Sequence, residues 1–185
     1  MVVTNLANAR PDSGQRGTVR DAIEPLLPRL WRFCHVLTLN SALAADLAQS
    51  TCLRALERDD QFQAETRLDS WLFRIAQSIW FNEMRATRIR RGGGLVPVEE
   101  AGLVAATNLE SNIFFTQVLS QVMALPEAQR ITVALVYVEG YTYEEASDLL
   151  GIPIGTVMSR LAGARSRLAK VLHGASSTDV ARKSD

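Results

Sequence analysis

Apolar positions recur at intervals of three and four residues through most of the chain. Nowhere do they alternate with a period of two over a strand-length run, so the fold class reads as all-α. From Thr18 to Leu39 the pattern is helical but interrupted by Pro25 and Pro28, which predicts short pieces rather than one helix. A second helix is predicted from Ser41 to Arg58 on Leu43, Leu47, Leu53 and Leu56, with Ser41 as its N-cap. The polar stretch DDQFQAET (59–66) forms a loop around Phe62. A third helix follows from Arg67 to Arg90, with Thr66 and Asp69 spaced as a capping box. Its inward stripe is predicted to be Leu68, Leu72, Ile75, Ile79 and Ala86, with Phe73, Trp80 and Met84 packing on a neighbouring helix.

The pattern then stops. Gly92, Gly93, Gly94, Pro97 and Gly102 mark residues 92–109 as a flexible linker between two small helical domains, 18–91 and 110–173. The polar segments 1–17 and 174–185 are expected to be disordered tails. In the second domain an amphipathic helix is predicted at Leu109–Ala124, and another to Val138 with Pro126 at its first position. Glu139-Gly140-Tyr141 makes a turn, and Thr142 with Glu145 forms a capping box opening a short helix that stops at Gly151. A last helix runs from Gly155 to Leu172.

Composition alters this picture little. The 185 residues are 47% hydrophobic and 22% charged, with zero formal net charge. The distribution matters more than the sum. Residues 85–91 (RATRIRR) carry four arginines and no acid, and 151–174 carry Arg160, Arg165, Arg167 and Lys170 and no acid. Between them, 92–150 holds eight acids against Arg130 alone. Two basic patches split by an acidic stretch fit a chain that touches a polyanion at two places, and equally fit plain solvated helix faces.

Cys34 and Cys52 lie in apolar helical patterns and read as core residues of a protein from a reducing compartment. His35 adjoins Cys34, but neighbours on a helix do not face one another, so no metal site or cofactor is expected. The N-terminal residues lack the apolar core of a signal peptide, and no apolar run approaches the length of a membrane span. A cytoplasmic location without membrane insertion is expected.

Two constellations carry candidate chemistry. The short helix, glycine turn and longer basic helix at 142–172 match a helix-turn-helix, or else an ordinary helical hairpin. In the longer helix Val157, Leu161, Ala164, Leu168 and Val171 point inward, leaving Thr156, Ser159, Gly163, Ser166 and Lys170 outward with Arg160 and Arg167 at the edges. Gly163 fits either a helix backbone lying close against DNA or a regulator, where an arginine would clash, or a contact given up. The small residues at 162 and 163 leave that outward surface underused, so an arginine at 163 is expected to strengthen DNA binding. In the third helix Arg74, Gln77, Phe81, Arg85 and Arg88 share the face opposite the core stripe. An exposed ring among guanidinium groups suits unstacked single-stranded DNA; a ring at helical spacing also suits a core.

Taken together these segments resemble the extracytoplasmic-function group of the bacterial sigma-70 family. DLAQSTCLRALERDDQF (46–62) resembles its polymerase-clamp helix, LDSWLFRIAQSIWFNEMRATRIRR (68–91) its −10 helices, and 125–172 its −35-binding domain. The resemblance implies a sigma factor that directs core RNA polymerase, through its beta and beta-prime subunits, to promoter DNA under the control of an anti-sigma factor. It implies clamp contacts by Asp46, Gln49 and Arg54, and −10 contacts by Phe62, Gln63, Glu65, Thr66, Gln77, Phe81, Arg85 and Arg88. It further implies −35 contacts by Thr156, Ser159, Arg160 and Arg165.

The sequence departs from the family pattern at Ser50, Ala64, Gln77-Ser78, Met158, Ala162 and Gly163. The competing readings are a sigma-like module that mainly binds an anti-sigma protein, and a stand-alone helix-turn-helix repressor. No glycine-rich phosphate loop or Ser/His/Asp arrangement supports an enzyme.

Overall fold

The computed structural model describes residues 19–63, 65–90 and 118–181, with backbone alone over 171–181. The expected tail at 1–17 and the linker at 92–109 lie outside the described residues, as do Ala64 and most of the helix expected at Leu109–Ala124. The chain divides into two units at Glu100/Ala101, and the described residues of both are helical with no strand.

Unit 1 opens with α1 (Val19–Ile23), a 3-10 turn (Glu24–Leu26) and α2 (Leu27–Thr38). Pro25 and Pro28 each stand in the first turn of their element, where a missing N–H costs nothing, so they divide the segment without breaking it. The chain turns at Leu39, whose φ of 55° is unusual for a side chain of that size. It then enters α3 (Ser41–Glu57). The N-cap is Asn40 rather than Ser41, because the Asn40 side chain accepts from the N–H groups of Ala42 (2.9 Å) and Leu43 (3.0 Å). A 3-10 turn (Asp59–Gln61) leads toward α4 (Leu68–Arg90).

Helices α2, α3 and α4 pack against one another around Leu30, Phe33, Leu37, Leu47, Leu72 and Phe73. Phe33 and Phe73 stack with ring centroids 4.3 Å apart, coupling α2 to α4. The buried stripe of α4 is Asp69, Leu72, Phe73, Ala76 and Ile79. It is rotated from the expected one: Ile75 is only half-buried and Ala86 is exposed.

The expected capping box at Thr66 and Asp69 is absent. The Thr66 hydroxyl donates to the Gln63 carbonyl at 2.7 Å, and the Asp69 carboxylate is taken by arginines. Arg67 donates to it at 2.8 and 3.1 Å, Arg29 of α2 lies at 2.9 Å, and the Ser70 N–H donates at 2.9 Å. Burial by itself raises the carboxyl pKa, but the Arg67 hydrogen bonds and the Arg67 and Arg29 charges outweigh it and hold the group below its ordinary range.

In unit 2 a helical stretch at 118–123 precedes α5 (Glu127–Val133), for which Pro126 is the N-cap rather than the first residue. The helix then widens into a π turn (Ala134–Val138), closed by Glu139 N–H donating to the Ala134 carbonyl at 2.9 Å. The buried Arg130 guanidinium donates to the carbonyls of Leu125 (3.0 Å) and Met123 (3.4 Å), tying α5 to the segment before it. Gly140, at φ 74°, makes the turn into α6 (Tyr143–Leu150). The final helix, α7, runs from Ile154 to Ala181, past the expected end at Leu172 and into the expected disordered tail. No proline interrupts the chain after Pro153, and a single glycine at 174 does not stop a helix. Both α5 and α6 pack on α7 through Ile131, Leu135, Ala146, Leu149, Val157 and Leu161.

Replacing Asp69 by asparagine removes the carboxylate that Arg29 and Arg67 share. Asp69→Asn is expected to destabilise unit 1 by about 1–3 kcal/mol, less than a fully buried pair because Arg67 remains partly solvated. Folding lowers this pKa, so the contribution is complete above about pH 4 and fades as pH falls through the lower folded-state value. Thermal melts of the two proteins should therefore differ at neutral pH and converge in acid.

Candidate nucleic-acid interface

The helix-turn-helix geometry of unit 2 is built into the turn at 151–153. Thr142 and Glu145 form the expected capping box at the start of α6, with Glu145 N–H donating to the Thr142 hydroxyl at 3.1 Å and Thr142 N–H to the Glu145 carboxylate at 2.8 Å. Gly151 ends α6 at φ 62°, a conformation that favours glycine. Ser147 then bridges the turn twice. Its carbonyl accepts the Ile152 N–H at 3.1 Å and its hydroxyl donates to the Ile152 carbonyl at 2.6 Å. Thr156 N–H donates to the Pro153 carbonyl at 2.8 Å, and α7 begins. These bonds fix the angle between the two helices.

On α7, Val157, Leu161 and Ala164 are buried as expected, Leu168 is half-buried, and the side chain of Val171 lies outside the described residues. Ser159 and Arg165 are exposed, whereas Thr156 and Arg160 are half-buried at the edge of the core. The Ser159 hydroxyl donates to the Thr156 carbonyl at 3.0 Å.

Gly163 does not belong to the outward surface. A Cβ built there would meet Gln129 Nε2 of α5 at 2.7 Å, so this glycine sits in the α5–α7 seam. The expectation that an arginine at 163 improves DNA binding is withdrawn on that ground. The wheel estimate failed because the Gln129 side chain reaches further round α7 than the apolar stripe does.

In unit 1 the face of α4 opposite the core carries Arg74, Phe81, Arg85 and Arg88, all exposed, with Gln77 half-buried. The Phe81 ring is 39% exposed, so it is not a core residue. Arg85 and Arg88 ion-pair with no described residue. The loop before α4 is less free than its composition implied. Phe62 is half-buried with its ring 5.3 Å from that of Trp71, which anchors the loop to the first turn of α4. Gln63, Glu65 and Thr66 are exposed in a turn closed by Thr66 N–H on the Gln63 carbonyl at 2.8 Å.

On α3, Asp46, Gln49 and Arg54 are exposed. With them lie two of the leucines whose spacing predicted the helix: Leu43 is 47% and Leu53 55% exposed, while Ala44, Leu47, Thr51 and Ala55 are buried. At 100° per residue Leu53 falls about 120° round from Leu47, a signal present in the spacing. A solvent face that mixes large aliphatic groups with both signs of charge suits a protein partner.

Burial and the neighbouring Cys52 push the Cys34 thiol up to about 12, and burial also raises Cys52 and lowers His35. Both thiols are therefore held toward the protonated form, Cys34 in the core and Cys52 half-buried beside it. Among the described residues no three His, Cys, Asp or Glu side chains are grouped to hold a metal ion, and no helix is long and apolar enough to cross a membrane.

Comparison with known proteins adds a second line of observation. Residues 22–89 match the family model for sigma-70 region 2, and residues 115–168 that for sigma-70 region 4. The ECF RNA polymerase sigma factor EcfG of Rhodopseudomonas palustris is 33% identical over 162 residues, which cover 84% of this chain and 86% of the relative. The ECF RNA polymerase sigma factor SigM of Mycobacterium tuberculosis is 31% identical over 146 residues, 78% of this chain and 71% of the relative. Among solved structures, the sigma factor RpoE in complex with the anti-sigma factor NepR from Bartonella quintana superposes with a TM-score of 0.71. It is 27% identical, with 83% of this chain and 96% of that one covered.

The Gly163 contact has a measurable consequence. Glycine within a helix costs roughly 1 kcal/mol against alanine. Gly163→Ala is expected to recover most of this only when Gln129 is also truncated. In the otherwise unchanged protein the added methyl must first displace the Gln129 amide. Thermal melts of Gly163→Ala, Gln129→Ala and the double variant should reveal a coupling of at least about 0.5 kcal/mol.

Proposed function

The chain belongs to the extracytoplasmic-function RNA polymerase sigma factors of the sigma-70 family, and we propose that it divides promoter recognition among faces of α3, α4 and α7. The outer face of α3 (Asp46, Gln49 and Arg54, extended by Leu43 and Leu53) holds the polymerase clamp on the beta-prime subunit. The loop residues Phe62, Gln63, Glu65 and Thr66, with Gln77, Phe81, Arg85 and Arg88 of α4, take up the melted −10 strand. Thr156, Ser159, Arg160 and Arg165 of α7 bind the −35 duplex, while unit 2 engages the beta subunit. The work is done in the cytoplasm, where polymerase and chromosome are.

The observation that carries this reading is the exposed Phe81 ring lying in line with Arg85 and Arg88, guanidinium groups that no described residue neutralises. A ring accepts an unstacked base and the cations accept the phosphates on either side. A module that only binds an anti-sigma protein has no use for that arrangement. The similar Bartonella sigma factor is bound to an anti-sigma factor, which supports such a regulator for this chain too.

Purified core polymerase and this chain, incubated with fragmented genomic DNA, are expected to yield transcripts from a small set of promoters sharing −10 and −35 elements. Transcripts no different from those of core polymerase alone would overturn the reading. Within that assay Phe81→Ala is expected to leave polymerase binding unchanged and to lower open-complex formation about 5- to 150-fold, from roughly 1–3 kcal/mol of base stacking. Permanganate reactivity of −10 thymines reads the defect directly.

A further inference from the structure

The first turns of α7 carry an apolar surface that the core does not use. Ile154 is 37% exposed and Met158, one turn later, 48%, and Gly155 and Ala162 beside them are exposed as well. Counting 100° per residue, these four and Ser159 fill a sector of about 140° that begins beside the buried stripe, at Ile154, and runs to the opposite face at Ser159. None of them carries a charge. Over 154–162 this sector holds none of the side chains that make paired hydrogen bonds to bases, arginine or lysine on guanine and asparagine or glutamine on adenine; Arg165 enters it only a turn further on. Ser159, its polar member, directs its hydroxyl proton to the Thr156 carbonyl.

The surroundings show what this patch faces. Arg160, Arg165, Arg167 and Lys170 lie beside it or further along the same helix, and residues 151–174 contain no acid. An apolar patch on a helix whose charged residues over 151–174 are all cations fits a polyanion that offers an apolar group, and in the major groove of DNA that group is the C5 methyl of thymine. A recognition helix presents its N-terminal residues to base edges, which is where Ile154 and Met158 stand. We propose that Ile154 and Met158 read thymine methyl groups in the −35 element, so that methyl contacts rather than guanidinium–guanine pairs set the sequence preference there. This rests on the assignment of unit 2 to the −35 duplex.

The test uses holoenzyme assembled from core polymerase and the full chain, and duplex promoters randomised only in the −35 window. The retained sequences are expected to be rich in thymine at two or more positions. Each is then remade with deoxyuridine for thymidine in that window alone. Loss of each contacted methyl should weaken retention about fourfold, the transfer value of one methyl-sized group. Met158→Ala alters an exposed side chain, and circular dichroism checks that the fold is kept. It should bind the thymine form about as weakly as the unaltered protein binds the deoxyuridine form, and should discriminate between the two less. Equal retention of both forms by the unaltered holoenzyme, with −35 selection otherwise intact, overturns the proposal alone. So does a Met158→Ala defect of the same size on both forms, which would assign the side chain to a protein contact. A holoenzyme that selects no −35 sequence overturns the assignment of unit 2 and the proposal with it.

Discussion

In a small helical unit each helix has one core to face, so it buries one stripe of side chains and leaves the rest to solvent or to partners. The consequences are plainest on α4. Phe73 stacks on Phe33, Leu72 and Ala76 fill the space between α2 and α3, and Asp69 holds Arg29 and Arg67 at the helix start. With that side fixed, Phe81, Arg85 and Arg88 have nowhere to go but outward. On α7 the same constraint works from Val157, Leu161 and Ala164, and the outward sector begins with Ile154 and Met158. The binding surfaces are what remains once the cores are satisfied.

Much of this was legible from spacing. The interrupted first helix, the glycine turns at 140 and 151, the Thr142–Glu145 box and the buried stripe of α7 all follow from local rules, because each depends on residues within a turn or two of one another. The reading went astray where a distant partner intervened. Asp69 looked like a cap, but Arg29, forty positions earlier in the chain, claims its carboxylate. Leu43 and Leu53 marked the helix correctly by their spacing but lie outside its buried stripe, which is Ala44, Leu47, Thr51 and Ala55. Gly163 looked like an abandoned DNA contact and is instead the place where Gln129 meets α7. The candidate site fared better on α4 and α7, whose exposed faces follow from periodicity, than in the loop at 59–66. There the seating of Phe62 on Trp71 carries no local signal.

Charge connects the structure to its dependence on a partner. The chain is neutral overall, and its cations are concentrated at the end of α4 and along α7. Each patch holds only a few cations, and non-specific affinity for DNA grows with the number of phosphates neutralised. Neither patch by itself is built for tight binding. Tethering both to one polymerase converts two weak contacts into one strong one, since the second contact then forms at high effective concentration. On the proposed reading the α3 face is central, because it is the contact that would bring both patches to one polymerase.

The most direct measurement is the affinity of the full chain for one promoter duplex, by fluorescence anisotropy at physiological salt, without and with core polymerase. The account predicts weak and sequence-indifferent binding by the chain alone, with a Kd of roughly 10⁻⁶ M or weaker, and tight, promoter-specific binding once polymerase is present. Nanomolar, sequence-specific binding by the chain alone would contradict it and would mark the protein as a stand-alone DNA-binding regulator.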